Sequence, residues 1–146
     1  MKNTLHRTAH GVWFPMRLVI VPAAIIFAAS AAAEPNAQLQ EHCGQYAAEV
    51  FAKDYGAGTD DGYSFDYQAH YSARLNKCFF LLMSTFNEKD NVIQSQYLSD
   101  IFDDQEYGTF SQSTQLGVFE CNVRNTVCSS SSKDEWYNLV KPYLEE

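Results

Sequence analysis

The sequence predicts an α+β domain: an N-terminal helix and a C-terminal helix packed on a mostly antiparallel sheet of four to six strands, with two disulfides. Three observations predict it. Apolar residues recur at helical spacing near both ends of the exported part, two-residue alternation dominates its middle, and the four cysteines sit where a hairpin and a helix–strand contact can pair them.

Residues 1–33 carry Lys2, Arg7 and Arg17 but no acid, then an apolar run from Leu18 to Phe27, then small residues up to Ala33. A basic start, an apolar run of about ten residues and small residues at the cut are the marks of a secretory signal peptide. Cleavage is expected after Ala33, leaving 34–146 as one domain. An uncleaved membrane anchor is the rival reading, but Leu18 to Ala33 is 16 residues with Pro22 inside, short of the roughly 20 that span a bilayer. No cysteine stands at the cut, which argues against a lipid anchor. Met16-Arg17, directly before the apolar run, would also make a compact signal start. The expected place is periplasmic or secreted.

Beyond residue 33 the chain keeps all 18 acidic side chains and seven of its 10 basic ones, a net charge of −11. That surface repels phosphate backbones and anionic lipid, so nucleic acid and membranes are poor partners and a cationic protein is the expected class. The same part holds nine Tyr, eight Phe and one Trp, enough aromatic mass to argue against disorder.

Pro35-Asn36 offers a helix start, and Leu39, Cys43, Tyr46, Ala47, Val50 and Phe51 then form one apolar stripe, ended by Gly56 and Gly58. Gly56 to Gly62 reads as a polar loop. Its aspartates invite a calcium reading, but counting from Asp60 puts Gly62 third and Ser64 fifth, where an EF-hand loop needs acids. Tyr63 to Tyr71 alternates as a strand, and Ser72 to Asn76 turns the chain. From Cys78 to Phe86 both faces are apolar, Cys78, Phe80 and Leu82 on one and Phe79, Leu81 and Met83 on the other, so this strand is expected to be covered on both sides. Asn87 to Asn91 reads as a turn.

Val92 to Asp103 fits a strand, yet Tyr97, Leu98, Ile101 and Phe102 also fit helical spacing. The acidic turn at 103–106 and the β-favouring Tyr107-Gly-Thr-Phe-Ser tilt the reading toward a hairpin. Ser132-Lys-Asp-Glu135 is a capping box, followed by Trp136, Leu139, Val140, Tyr143 and Leu144 at helical spacing. Pro142 lacks an N–H and biases Lys141 away from helix, so the regular helix is expected to stop near residue 140.

In the hairpin flanking Arg124-Asn125, Val123 faces Thr126, Asn122 faces Val127 and Cys121 faces Cys128. Directly opposed Cβ atoms lie close enough to be bridged after a small twist. This selects Cys121–Cys128 and leaves Cys43–Cys78 by elimination. Zinc wants close cysteine pairs, whereas the intervening spacings are 34, 42 and 6 residues. With the cysteines structural, no metal and no cofactor are expected.

No metalloprotease, nucleophile-elbow, P-loop or dinucleotide pattern is present. The densest polar group beside the central strand is His70, Tyr71, Arg74, Asn76 and Lys77, where much of the scarce positive charge gathers. It is the candidate binding site for an anion or peptide, and its structural reading is a turn whose cations answer nearby acids. The run from His70 through Leu75-Asn76-Lys77-Cys78-Phe79, the later Cys121 and Cys128, and the ending from Ser132 to Tyr143 resemble small exported bacterial proteins of uncharacterised function. The resemblance implies a periplasmic or secreted place and lends no activity. The expected function is a non-enzymatic binding module. The alternatives are a small envelope hydrolase using paired carboxylates, or a structural envelope component.

Overall fold

The computed structural model describes residues 35–129 and 132–145; the predicted signal peptide and its cleavage site lie outside them. Helix α1 (Pro35–Tyr55) leads into strands β1 (Thr59–Asp60), β2 (Tyr63–Ser72), β3 (Lys77–Glu88), β4 (Asn91–Asp100), β5 (Gln105–Ser113), β6 (Gly117–Val123) and β7 (Thr126–Val127), and the chain closes with α2 (Lys133–Leu144). Among the described residues the strands form one antiparallel sheet in chain order, each paired with its sequence neighbours. The α+β class matches the expectation. The strand count exceeds it, because β1, a two-residue edge strand, is too short to leave an alternating pattern.

The helices lie on opposite faces, which is what the doubly apolar β3 requires. On one face Cys43 of α1 packs with Tyr71 and Cys78, joined by Ala69 and Ile101. On the other, Trp136, Val140 and Leu144 of α2 cover Phe79, Leu81, Leu98, Phe110 and Val123. The larger core therefore belongs to α2. Trp136 reaches the sheet because position 108 is glycine: a Cβ there would stand 3.2 Å from the indole and 2.6 Å from the Asn122 carbonyl oxygen. The buried indole N–H donates to Gln96 Oε1 at 2.6 Å, the partner a buried Trp needs.

Both expected disulfides are present, Cys43–Cys78 with Cα atoms 5.5 Å apart and Cys121–Cys128 with 5.4 Å. The register Val123↔Thr126 and Asn122↔Val127 is the one that the Arg124-Asn125 turn imposes. The ambiguous stretch after Asn91 is a strand, with Leu81 opposite Leu98 and Leu82 opposite Tyr97 across β3 and β4.

Four local expectations are corrected. Strand β3 runs on to Glu88, so the turn shrinks to Lys89-Asp90 between the paired Glu88 and Asn91. The loop after α1 contains β1, whose Thr59 pairs with Ser64. In α1 only Cys43 and Ala47 are buried, while Leu39 and Tyr46 of the apolar stripe stay exposed, because the helix lies over β2 and the edge of β3 rather than over the whole sheet. Helix α2 continues past Pro142 to Leu144. There the Tyr143 ring packs 5.1 Å from Phe79 and 5.3 Å from Tyr107, and Leu144 is buried, so packing outweighs the hydrogen bond that proline cannot make.

Candidate functional site

The five candidate residues occupy the end of β2, the turn and the start of β3, and the pleat sends them to different places. Tyr71 and His70 are neighbours in β2, so they face opposite sides of the sheet. Tyr71 is buried against α1; its N–H donates to Gln40 Oε1 at 2.8 Å and its hydroxyl to Asn76 Oδ1 at 2.7 Å. Asn76 itself takes the left-handed conformation that closes the turn, with φ 53°, a role its short amide side chain suits. His70, on the α2 side, is half-buried with Nε2 enclosed and without a hydrogen-bond partner.

Lys77 Nζ donates to Asp100 Oδ2 at 2.5 Å and Asp103 Oδ2 at 2.9 Å. These two hydrogen bonds push its pKa above the ordinary lysine value, and the Lys77 ammonium in turn holds the Asp103 carboxyl below the usual range. The charge that made Lys77 a candidate is thus matched by two acids. Arg74 is exposed on the turn and reaches α2, where its Nη2 donates to the Pro142 carbonyl at 3.4 Å. Tyr71 joins Asn76, Lys77 joins Asp100 and Asp103, and Arg74 joins neither group.

Arg74 instead meets residues that sequence reasoning did not connect to it. Together with Leu75, Tyr107, Arg124, Pro142 and Tyr143 it lines a depression of about 320 Å³. Arg124 stacks its guanidinium 3.9 Å from the centroid of the Tyr107 ring, and its N–H donates to the Tyr107 carbonyl at 2.6 Å. Behind them Phe79, Tyr107 and Tyr143 pack edge to face, with centroids 4.9 to 5.3 Å apart. The only available signal was that residues 35–145 contain just two arginines, Arg74 and Arg124; nothing in the sequence says that two turns 50 positions apart meet.

A second feature is the sheet face that carries α1. The register sets Ser84, Ser95, Ser111 and Glu120 in one row across β3 to β6, with Leu82, Tyr97, Thr109 and Asn122 in the next. Helix α1 does not extend over this half. The two rows except Asn122, together with Gln96, line a shallow concavity of about 160 Å³ in which Glu120 is the only charged residue. Thr109 donates to Glu120 at 2.8 Å, Asn122 to Thr109 at 2.7 Å and Ser111 to Ser95 at 3.1 Å, so the rows are preorganised. Tyr97 is 37% exposed. Its hydroxyl pKa is raised, first by burial and then by Glu106, to which it donates. Nearby, His42 and Tyr46 of α1 flank the exposed Phe102, with ring centroids 5.5 and 5.9 Å away.

Two further depressions lie elsewhere. One, of about 420 Å³, is walled by Ser64, Asp66, Thr85, Gln94, Lys133 and Tyr137 on the α2 side; the other, of about 410 Å³, places Asp54 and Asp60 together at the C-terminal end of α1. Among the described residues no three His, Cys, Asp or Glu side chains are grouped to hold a metal, and no helix is long and apolar enough to cross a membrane. The two disulfides fit an extracellular or periplasmic location. No protein-family model, curated protein or solved structure matches the chain.

Proposed function

We propose that this chain is an exported, non-enzymatic binding module whose open sheet face takes a cationic protein. The observation that carries the reading is the half of the sheet left uncovered by α1: a preorganised floor of hydroxyl and amide groups with exposed Tyr97 at its centre and Glu120 as its only charge. Tyrosine supplies contact area at low entropic cost, and the net −11 of residues 34–146 steers a basic partner toward it. Export through the signal peptide 1–33, cleaved after Ala33, is part of the same proposal and places the module in the periplasm or outside the cell. In this reading the turn holding His70, Tyr71, Arg74, Asn76 and Lys77 supports the fold rather than the contact: Tyr71 bonds Asn76, Lys77 pairs with Asp100 and Arg74 reaches the Pro142 carbonyl.

The test is affinity capture from envelope and culture-medium fractions at low and high salt, with wild type beside Glu120→Lys and Tyr97→Ala. A basic protein should be retained by wild type at low salt, released at high salt and lost by both variants. Absence of any salt-sensitive partner would sink the reading. The hydrolase alternative has one observation in its favour, the shared depression of Asp54 and Asp60; it requires a hydrolytic activity that Asp54→Asn abolishes.

A further inference from the structure

We propose that the depression on the α2 side of the sheet, bounded by β2, β3, β4 and the start of α2, binds a neutral saccharide. The inference stands independently of the cationic-partner reading, which concerns the opposite face.

Gln96 anchors the site. It is 7% exposed, and its Oε1 accepts the Trp136 indole N–H at 2.6 Å. An indole nitrogen can only donate, so this bond fixes which end of the amide is the oxygen. Nε2 therefore faces Tyr137, to whose hydroxyl oxygen it donates at 3.3 Å. A second N–H on Nε2 and the hydroxyl proton of Tyr137 remain, both on residues that line the depression. The packing of Trp136 accounts for the buried amide oxygen and for neither proton.

The same wall holds further groups whose roles are set. Asp66 Oδ1 accepts the Tyr67 N–H at 2.8 Å, which orients the carboxylate and leaves Oδ2 as an acceptor. Gln94 Oε1 accepts from Gln112 Nε2 at 2.7 Å, so the Gln94 NH2 remains as a pair of donors. Thr85 adds a hydroxyl, which can do either. Oriented donors beside an oriented acceptor match a ligand whose own hydroxyls both donate and accept.

The rest of the wall decides the ligand's charge and shape. Asp66 and Lys133 are its only charged residues, and they cancel. An anion would meet Asp66 and the field of a domain of net charge −11, and a cation would meet the Lys133 ammonium. Tyr137, 43% exposed, and Met83 offer apolar surface on which the C–H face of a sugar ring can lie. A volume of about 420 Å³ falls within the range of small-molecule sites, room for the end of an oligosaccharide and not for a folded partner. A zwitterion such as a free amino acid would match the two charges but leave the neutral donors of Gln94, Gln96 and Tyr137 without a use, so it is the competing probe.

The test is an NMR titration of the disulfide-intact exported chain, reading the side-chain amides of Gln94 and Gln96 and the indole N–H of Trp136. The probes are maltose, cellobiose, diacetylchitobiose and the zwitterion alanine. At least one disaccharide is expected to shift all three signals saturably in the millimolar range, and alanine none of them. Asp66→Ala and Tyr137→Ala should each weaken that binding tenfold or more, while Lys53→Gln, exposed on α1 across the sheet, leaves it unchanged. No saturable shift from any disaccharide, alanine binding as tightly as the best of them, or full affinity in both alanine variants would each overturn the proposal. The comparison of the four probes on the wild type needs no variant, so it stands even if a replacement fails to fold.

Discussion

Asp100 has a side chain with no exposed surface, and Lys77 is its charged partner, 19% exposed and 2.5 Å away. Removing one member of a buried pair leaves an uncompensated charge, which costs about 3 to 5 kcal/mol. Lys77→Met is therefore expected to lower the unfolding free energy measured by urea denaturation by that much. Asp103→Asn should barely move it, because Asp103 is 69% exposed on its side chain and exposed pairs contribute little.

The pH dependence follows from the signs. Lys77 has a raised pKa, so its contribution is fully present below the ordinary 10.5 and is lost as the pH climbs through the raised folded value. Asp103 has a lowered pKa, so its contribution is present above 3.8 and fades as the pH falls below that. Between those limits the cluster should give a flat stability profile, and Lys77→Met should remove the alkaline limb and also the acid limb, since the Lys77 ammonium is what lowers Asp103. A variant whose alkaline limb matched wild type would refute the assignment. His70 gives the opposite case: its enclosed Nε2 lacks a partner, so His70→Leu is expected to be neutral or stabilising by up to about 1 kcal/mol in the same measurement. At this scale the sequence shows the polar residues but not their partners, since Lys77 meets acids 23 and 26 positions away.

Elements were legible where local chemistry and packing agree. The Arg124-Asn125 turn dictates its own register and through it a disulfide, and the two apolar faces of β3 announced cover on each side. They were misread where tertiary contacts prevail, as in α2, which accepts Pro142 in order to bury Leu144 and pack Tyr143. Helix α1 depends on fewer contacts. It buries only Cys43 and Ala47 and otherwise leans on half-buried rings such as Phe51, 4.6 Å from Tyr67. The Cys43–Cys78 bridge, 35 positions apart, is worth roughly 4 kcal/mol on the chain-entropy estimate. Cys43→Ser with Cys78→Ser should accordingly free α1 first: amide exchange is expected to accelerate across Pro35–Tyr55 while β3 to β5 and α2 stay protected. Uniform loss of protection would mean that α1 and the sheet form a single cooperative unit.

For the molecule as a whole, the meander brings side chains together from elements that no local pattern links, which is why the Arg74–Arg124 depression and the Tyr97 face were not legible beforehand. The same topology leaves two sheet edges, β1 and β7, and both are two residues long. Very short edge strands offer little backbone for another chain to pair with. Strand β7 is held by two register pairs and by Cys121–Cys128. It covers only Asn122 and Val123 of β6, so without it the open edge that already carries Phe119, 55% exposed, would run the full seven residues of β6. Cys121→Ser with Cys128→Ser is thus expected to cost roughly 2 to 3 kcal/mol and to give a species that associates more strongly than wild type as concentration rises in sedimentation velocity. A variant that stayed monomeric would show that β7 does not guard the edge. Association of the wild type at low micromolar concentration would favour the structural-component reading over the binding module, because the open face would then be occupied by a second copy rather than awaiting a cationic protein.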